Sequence, residues 1–444
     1  MKKIALGLVA LLLVVAAGCR KGNNEGALDT IPSNTAYFCV VNVSKINDNL
    51  GNETRSDGDV KLSRDFSQIL DRFGKDGDEM RKMLTDNKAS LDFKMPLTIF
   101  EYKGSLITTF FVRDEEDFRD FLKQNDHTMK EKSGVWEADS RYFMADNQVW
   151  ISEGASTFTS QTVTYLTNLD EKESLAGEEY AVSLVGGDAD MSGWIDIAKL
   201  TSMQYAPNMG ANVMLNTIFD GAKYLPFTLK FEDGSATAEM KVLNAKFEPA
   251  PYLIKSSGID ASLLESYKGR GSLFFAFSME PKQIKQLLDQ YGNLAGAAMK
   301  PFLDLLADID GTIIGSATMS SISPSFGIMA GFTSDETASQ ASRQLSQMFS
   351  GEAAVEQTGK NIYIHVNADG GDDISKYIDD LKGALWGMAY GGSEISEQTG
   401  GMIRKCVVKA VPEGESCVIT MKLDTKSGQN ALQSIMEAAS LKSR

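Results

Sequence analysis

Ala36-Tyr37-Phe38-Cys39-Val40-Val41-Asn42-Val43 decides how the rest of this chain is read. The run is short, nearly continuous in apolar character and rich in β-branched and aromatic residues, so it predicts a strand buried on both faces. Ser272-Leu273-Phe274-Phe275-Ala276-Phe277 has the same character far downstream. Similar sequences of elements spread outward from these two strands. After the first, Leu62, Phe66, Ile69, Leu70 and Phe73, and then Met80, Met83 and Leu84, recur at helical spacing and predict two amphipathic helices. Pro96 to Tyr102 and Ser105 to Val112 read as strands joined at a Lys103-Gly104 turn. Asp114 caps a helix whose apolar face is Phe118, Phe121 and Leu122. Short strands at Val135-Trp136, Arg141–Met144 and Val149–Ile151 follow, with Asp146-Asn147 as a turn.

The second copy of the plan opens a helix at Pro281, carrying Ile284, Leu287 and Leu288. Strands are expected over Thr312–Met319 and Phe326–Phe332. Thr333-Ser334-Asp335-Glu336 reads as a capping box for a helix with Leu345, Met348 and Phe349 on its apolar face. Gly359-Lys360 turns into Asn361–Val366. Each half closes on a hairpin: Pro226–Phe231, Asp233-Gly234, Ala236–Leu243 in the first, and Lys405–Val411, Pro412–Glu415, Cys417–Leu423 in the second. The fold class is therefore α+β, two similar halves of mainly antiparallel sheet with helices packed on it. The expected segments are a lipoprotein signal at 1–18, a tether at 19–33, an N-terminal half at 34–247, a linker at 248–269 and a C-terminal half at 270–444.

Ile31-Pro32-Ser33-Asn34-Thr35-Ala36, Leu91-Asp92-Phe93-Lys94-Met95-Pro96-Leu97-Thr98-Ile99-Phe100 and Ser192-Gly193-Trp194-Ile195-Asp196-Ile197-Ala198-Lys199-Leu200 resemble domain-of-unknown-function family 4836, lipoproteins of gut bacteria. The resemblance implies an envelope location and a duplicated α+β fold, and no activity.

The N-terminus carries an address. Lys2-Lys3 is a positive start, Ile4 to Ala17 is apolar, and Ala16-Ala17-Gly18-Cys19 ends the run. The apolar run is too short to span a bilayer comfortably and reads as a secretory signal. Its small-small-Cys ending makes Cys19 the expected lipidation site, with Ala16 standing where leucine is commonest. Two or more acyl chains give a durable anchor. Arg20 follows, where aspartate would resemble an inner-membrane retention signal, so the outer membrane is expected; periplasmic and surface-facing placements both stay open. Arg20 to Gly26 is a polar, glycine-containing tether.

With 43% hydrophobic and 23% charged residues the chain has an ordinary globular composition, and 444 residues are too many for one simple core. Its net charge of −16, without any Lys/Arg-rich run, argues against nucleic acid and against a basic membrane-binding face. The expected contact with the membrane is through the lipid alone.

Catalytic signatures are sparse. The two histidines, His127 and His365, have no second histidine at ligand spacing, and no Gly-x-Ser-x-Gly elbow, Ser-x-x-Lys or phosphate-binding Gly-rich loop occurs. No metal and no cofactor are expected. Glu115-Glu116-Asp117 reads as a first helical turn. Asp369-Gly370-Gly371-Asp372-Asp373 and Asp57-Gly58-Asp59 are oxygen-rich turns, yet neither fits a calcium-loop spacing. Of the four tryptophans, Trp136 and Trp150 fall in neighbouring strands and are the candidate ligand platform. Trp194 reads as core, as does Trp386, placed in a helical stretch from Ile374 to Tyr390, and Gly387–Gly401 reads as a mobile loop. Cys39, Cys406 and Cys417 are expected as free thiols. A Glu413-Gly414 turn would set Cys417 opposite Ala410 and Cys406 opposite Met421, out of disulfide reach.

The leading expectation is a non-catalytic, lipid-anchored envelope protein that binds a protein, peptide or glycan. A glycan-active enzyme using paired carboxylates and a scaffolding subunit of an envelope complex are the alternatives.

Overall fold

Three of the expected hairpin turns form because the backbone adopts the left-handed conformations such turns demand. Lys103-Gly104 joins β2 (Leu97–Tyr102) to β3 (Ser105–Phe111) with φ of 47° and 84°. Both signs match the primed turn whose twist suits antiparallel strands. Asp146-Asn147, with φ of 50° and 61°, joins β6 (Tyr142–Ala145) to β7 (Gln148–Glu153), and Gly234 has φ of 73° in the turn after β9 (Tyr224–Glu232).

The computed structural model describes residues 24–55, 59–153, 157–200, 218–280, 283, 308–318, 325–349, 351–366 and 371–441. Cys19 and the signal lie outside them, as do Ile284, Leu287, Leu288 and Asp57-Gly58. The described residues form an α+β protein of antiparallel sheet with helices packed on it. They divide into two compact units.

The first unit contains the described residues before 215, together with 222–248 and 427–441. Its central strand, β1 (Tyr37–Val41), lies between β2 and β8 (Met191–Asp196). From β8 the sheet continues through β9 to β10 (Ser235–Lys241). From β2 it continues through β3, β7, β6 and β5 (Val135–Ala138) to β4 (Lys130–Lys132). Alternation along β1 points Cys39 and Val41 to one face and Phe38 and Val40 to the other.

Helices cover both faces. On the Cys39 face lie α1 (Val43–Leu50), α2 (Arg64–Arg72), α3 (Lys75–Asp86) and α4 (Glu115–Gln124). The predicted face of Phe66, Ile69 and Leu70 is buried there. On the Phe38 face lie α5 (Ser160–Thr167) and α6 (Glu179–Val185), with Leu28 and Ile31. Helix α1 departs from the expected strand through Val43: Asn42 accepts from the Lys45 amide at 3.2 Å and caps a helix immediately after Val41.

In the second unit, β11 (Leu273–Ser278) lies between β12 (Ile309–Ala317) and β16 (Trp386–Gly391). One side runs β12, β13 (Phe326–Phe332), β15 (Asn361–Val366), β14 (Ala354–Thr358). The other runs β16, β17 (Ile403–Glu413), β18 (Ser416–Thr425). Strand for strand this is the order of the first unit, which adds the β4–β5 hairpin. Phe274 and Ala276 pack with Leu264, Tyr267, Tyr377 and Leu381, from α7 (Ala261–Ser266) and the turns before β16. The opposite face carries Ile313, Phe332 and α8 (Asp335–Phe349), whose buried stripe is Ala338, Ala341 and Leu345. The cap of α8 is Ser334 with Thr337, one place later than the expected box: Ser334 Oγ accepts from the Thr337 amide at 3.1 Å, and Thr337 Oγ1 from the Ser334 amide at 3.0 Å.

Several boundaries differ from the sequence reading. Residues 249–269 are not a bare linker, because Ile259, Leu264 and Tyr267 belong to the second unit's core. The last helix, α10 (Ala431–Leu441), packs into the first unit through Leu432 and Met436 and not into the C-terminal half. The helical stretch expected from Ile374 to Tyr390 forms only over Ile374–Leu381; Gly383, at φ 73°, follows it and Trp386 begins a strand. Gly387–Gly401 is strand β16 followed by α9 (Ser393–Gln398), not a loop. Gly392 between them, at φ 84°, leaves room for Asp372: a Cβ there would meet that carboxylate at 2.1 Å.

Candidate functional site

The two tryptophans expected to share a platform point away from each other. Trp136 pairs with Met144 and Met144 with Val149, while Trp150 pairs with Phe143, so alternation sends the two indoles to opposite faces. Trp150 is fully buried in the Phe38-face core, together with Phe143 and Phe158, and cannot serve as a platform. Trp136 is partly buried on the other face, with the Arg119 guanidinium over its ring at 4.0 Å. That stacking occupies the indole face a ligand would use.

A denser aromatic group forms around Trp194. Alternation along β8 directs Ser192, Trp194 and Asp196 to the Phe38 face, and both Trp194 and Asp196 are buried. Gly193, between Ser192 and Trp194, allows the strands to close, since a Cβ there would lie 2.0 Å from the Phe38 carbonyl oxygen. Phe38 meets Trp194 edge-on at 4.8 Å. Three half-buried rings then arrive from separate elements: Tyr180 from α6, Tyr224 from the start of β9, and Phe247 from the turn after β10.

Phe247 is sandwiched. Its ring lies 4.4 Å from Tyr224 with an interplanar angle of 5°, and 5.2 Å from Tyr180 at 15°. Trp194 lies 5.1 Å away, tilted by 37°. The turn that delivers it is tight: Asn244 Oδ1 accepts from the Lys246 amide at 2.8 Å and the Glu248 amide at 3.1 Å. Phe247 itself has φ of 59°. A bulky side chain in the left-handed region is strained by about 1–3 kcal/mol and persists only where the surroundings hold it.

Two buried polar atoms on this face of β8 lack hydrogen-bond partners, Trp194 Nε1 and Asp196 Oδ2. Asp196 pairs across the ladder with Tyr224, whose ring carries the Lys223 ammonium at 4.8 Å. The other oxygen, Asp196 Oδ1, accepts from the Lys199 amide at 3.1 Å, and the Lys199 ammonium stands 3.7 Å from Oδ2. Burial also holds the Tyr180 phenol above its ordinary pKa. The arrangement combines flat apolar faces with a buried indole N–H that has no hydrogen-bond partner, beside the Asp196–Lys199 ion pair.

Most other sequence candidates resolve into local structure. Asp114 Oδ1 accepts from the Glu116 and Asp117 amides at 2.8 and 3.1 Å, so the Glu115-Glu116-Asp117 run is the first turn of α4. Asp373 caps the turn at Ile374 through the Ser375 amide at 2.8 Å, and Asp372 holds Lys376 at 2.6 Å; Asp369-Gly370 lies outside the described residues. Among the described residues no group of three potential ligands could hold a metal ion. His127 meets Asp139 at 2.5 Å, and His365 stacks on Tyr363 at 4.7 Å with Glu356 at 3.3 Å.

Cys39, Cys406 and Cys417 are free thiols, as expected. The hairpin register differs: the turn is Gly414-Glu415, so Cys406 faces Leu423 and Cys417 faces Pro412, which separates the sulfurs further than expected. Burial pushes Cys39 and Cys417 up to about 12.

Fold and site together define an α+β protein of two antiparallel-sheet units, one carrying a partly exposed aromatic stack. No family model matches the chain, and no curated protein matches it. Among solved structures it is similar to TP0453 in several crystal forms. Form IV is 9% identical with a TM-score of 0.29, covering 49% of this chain and 79% of that one. Form I is 9% identical with a TM-score of 0.28, covering 79% and 95%. Form III is 8% identical with a TM-score of 0.28, covering 79% and 96%. Similarity at this level transfers no property to this chain.

Proposed function

We propose that this chain is a lipid-anchored protein of the bacterial cell envelope, whose folded part binds a ligand without transforming it. The anchor is Cys19, at the end of the apolar run Ile4–Ala17, and Arg20 beside it favours the outer membrane. The observation that carries the binding reading is the half-exposed Tyr180–Phe247–Tyr224 stack beside Trp194, whose buried indole N–H has no hydrogen-bond partner. Aromatic rings of this kind present large contact area at low entropic cost, and buried unpaired donors and acceptors discriminate strongly between partners.

Two measurements test this reading. Cys19→Ser should move the protein from the membrane to the soluble fraction and remove the lipid from its intact mass; no change in either refutes the anchor. Crosslinking the native lipidated protein through a photoreactive residue at Tyr180 should capture a protein, peptide or glycan specifically at that position. Capture no greater than at a control surface position such as Lys88 refutes the binding surface.

A further inference from the structure

We infer that Asp220-Gly221 is a site of spontaneous backbone isomerisation, at which Asp220 becomes isoaspartate as the folded protein ages, a modification that stands apart from the anchor and from the aromatic stack.

The chain contains six Asp-Gly pairs, and glycine in the second place leaves the preceding carboxyl free to approach its amide. Asp57-Gly58 and Asp369-Gly370 lie outside the described residues. The other four are alike in sequence and differ in how the fold holds them. Asp76 lies in the first turn of α3, where ring closure would pull its ψ out of the helical well, and a Cβ on buried Gly77 would meet the Leu70 carbonyl oxygen at 1.9 Å. In Asp233-Gly234 the glycine amide donates to the Gln429 carbonyl at 3.0 Å. In Asp310-Gly311 the carboxylate accepts from the Lys360 ammonium at 2.8 Å, and Gly311 is buried within β12.

Asp220-Gly221 has none of these restraints. Both residues are exposed, and Gly221 turns at φ 66° with nothing within 4 Å of where a Cβ would stand. Among the described residues no partner holds the Asp220 carboxylate or the Gly221 amide. Water and rotational freedom, the two requirements of the reaction, are therefore both present at this turn.

The Gly221 amide nitrogen attacks the side-chain carboxyl carbon of Asp220, an intramolecular step favoured by proximity. The new N–C bond closes a five-membered succinimide, and the amide hydrogen and the carboxyl hydroxyl leave as water. One water then adds back. Opening at the side-chain carbonyl restores aspartate. Opening at the main-chain carbonyl breaks the original peptide bond and leaves the chain running through Cβ, with a free α-carboxylate and unchanged mass. The flanks are fixed, because the Asp220 amide donates to the Pro251 carbonyl at 2.9 Å and the Lys223 amide to the Leu243 carbonyl at 2.8 Å. Gly221 and Ala222 must absorb the added main-chain atom.

The test is ageing of the full chain carrying Cys19→Ser at neutral pH and physiological temperature, folded and in parallel in concentrated urea. Digestion, labelling with an isoaspartyl methyltransferase and fragmentation then locate isoaspartate. In the folded protein the peptide containing Asp220 should gain it about fivefold or more faster than those containing Asp76, Asp233 or Asp310, the rate equivalent of one hydrogen bond that must first break. In urea the four rates should converge, because the residue pair is the same and the restraints are gone. Asp220→Glu keeps the charge, cannot close a five-membered ring, and should remove the signal from its peptide. Accumulation at Asp220 no faster than at any of the other three in the folded chain overturns the proposal. A folded-state lead that persists unchanged in urea overturns it too, as does a signal that survives Asp220→Glu.

Discussion

Replacing Leu432 and Met436 of α10 by alanine should loosen the first unit and spare the second, although both residues lie beyond every strand of the second unit in the chain. Leu432 is 6% exposed and Met436 7%, and both belong to the core that contains Phe66, Ile69 and Leu70 of α2. Polar contacts seat the helix beside them: Gln433 donates to the Leu50 carbonyl at 2.8 Å, Asn430 to the Phe231 carbonyl at 3.0 Å, and Glu437 pairs with Arg72. Truncating a buried Leu or Met to Ala costs about 2–5 kcal/mol, including the cavity left behind. The two side chains are neighbours on one helix face, so their effects will not simply add. A combined loss of about 4–6 kcal/mol follows, which raises the local opening equilibrium by about 10³- to 10⁴-fold. Hydrogen exchange read by mass spectrometry resolves the location. Amides of α1 and α2 should lose protection by that factor, while those of β11, β12 and β16 keep theirs. Protection lost equally in β11, β12 and β16, or unchanged in α1 and α2, would refute the assignment of α10 to the first unit.

Cys39 makes stability fall at alkaline pH. Its folded pKa of about 12 lies above the ordinary value, so the stabilising contribution is complete below about pH 9 and is lost as pH rises towards 12. Cys39→Val should show a smaller decline in urea midpoint across that window, and an identical decline would contradict the buried-thiol account. Thiol titration of the Cys19→Ser protein should return three reactive groups when denatured without reductant, with native Cys39 and Cys417 reacting slowly at pH 8; a count of one would establish a disulfide. Trp150→Ala should cost about 3–5 kcal/mol in urea unfolding, as for a fully buried indole. Trp136→Ala, losing a half-exposed ring and the Arg119 contact, should cost about 1–2 kcal/mol. The reverse order would show that the face assignments are exchanged.

Local chemistry made much of the fold legible from sequence. Lys103-Gly104, Asp146-Asn147 and Asp233-Gly234 announced their hairpins because few residues tolerate the backbone angles a two-residue turn needs. Phe66, Ile69 and Leu70 announced α2 because its period matches a helix with one buried face. The same strand order in both units was foreshadowed by the repeated element order, since antiparallel hairpins pair with their sequence neighbours. The expectation that Cys19 is lipidated likewise rests on sequence alone.

Tertiary structure decided what depends on pairing and docking. An amphipathic helix can bury its stripe against any complementary surface, so nothing within Ala431–Leu441 says which unit it joins. A shift in the turn at Gly414 reset every partner in the last hairpin, because register propagates along the whole ladder. Pairing parity placed Trp136 and Trp150 on opposite faces, and β6 separates their strands, which the sequence alone suggests are neighbours. The aromatic stack could not be seen in the sequence. Tyr180, Trp194, Tyr224 and Phe247 come from four separate elements, and only the folded sheet brings their rings within stacking distance.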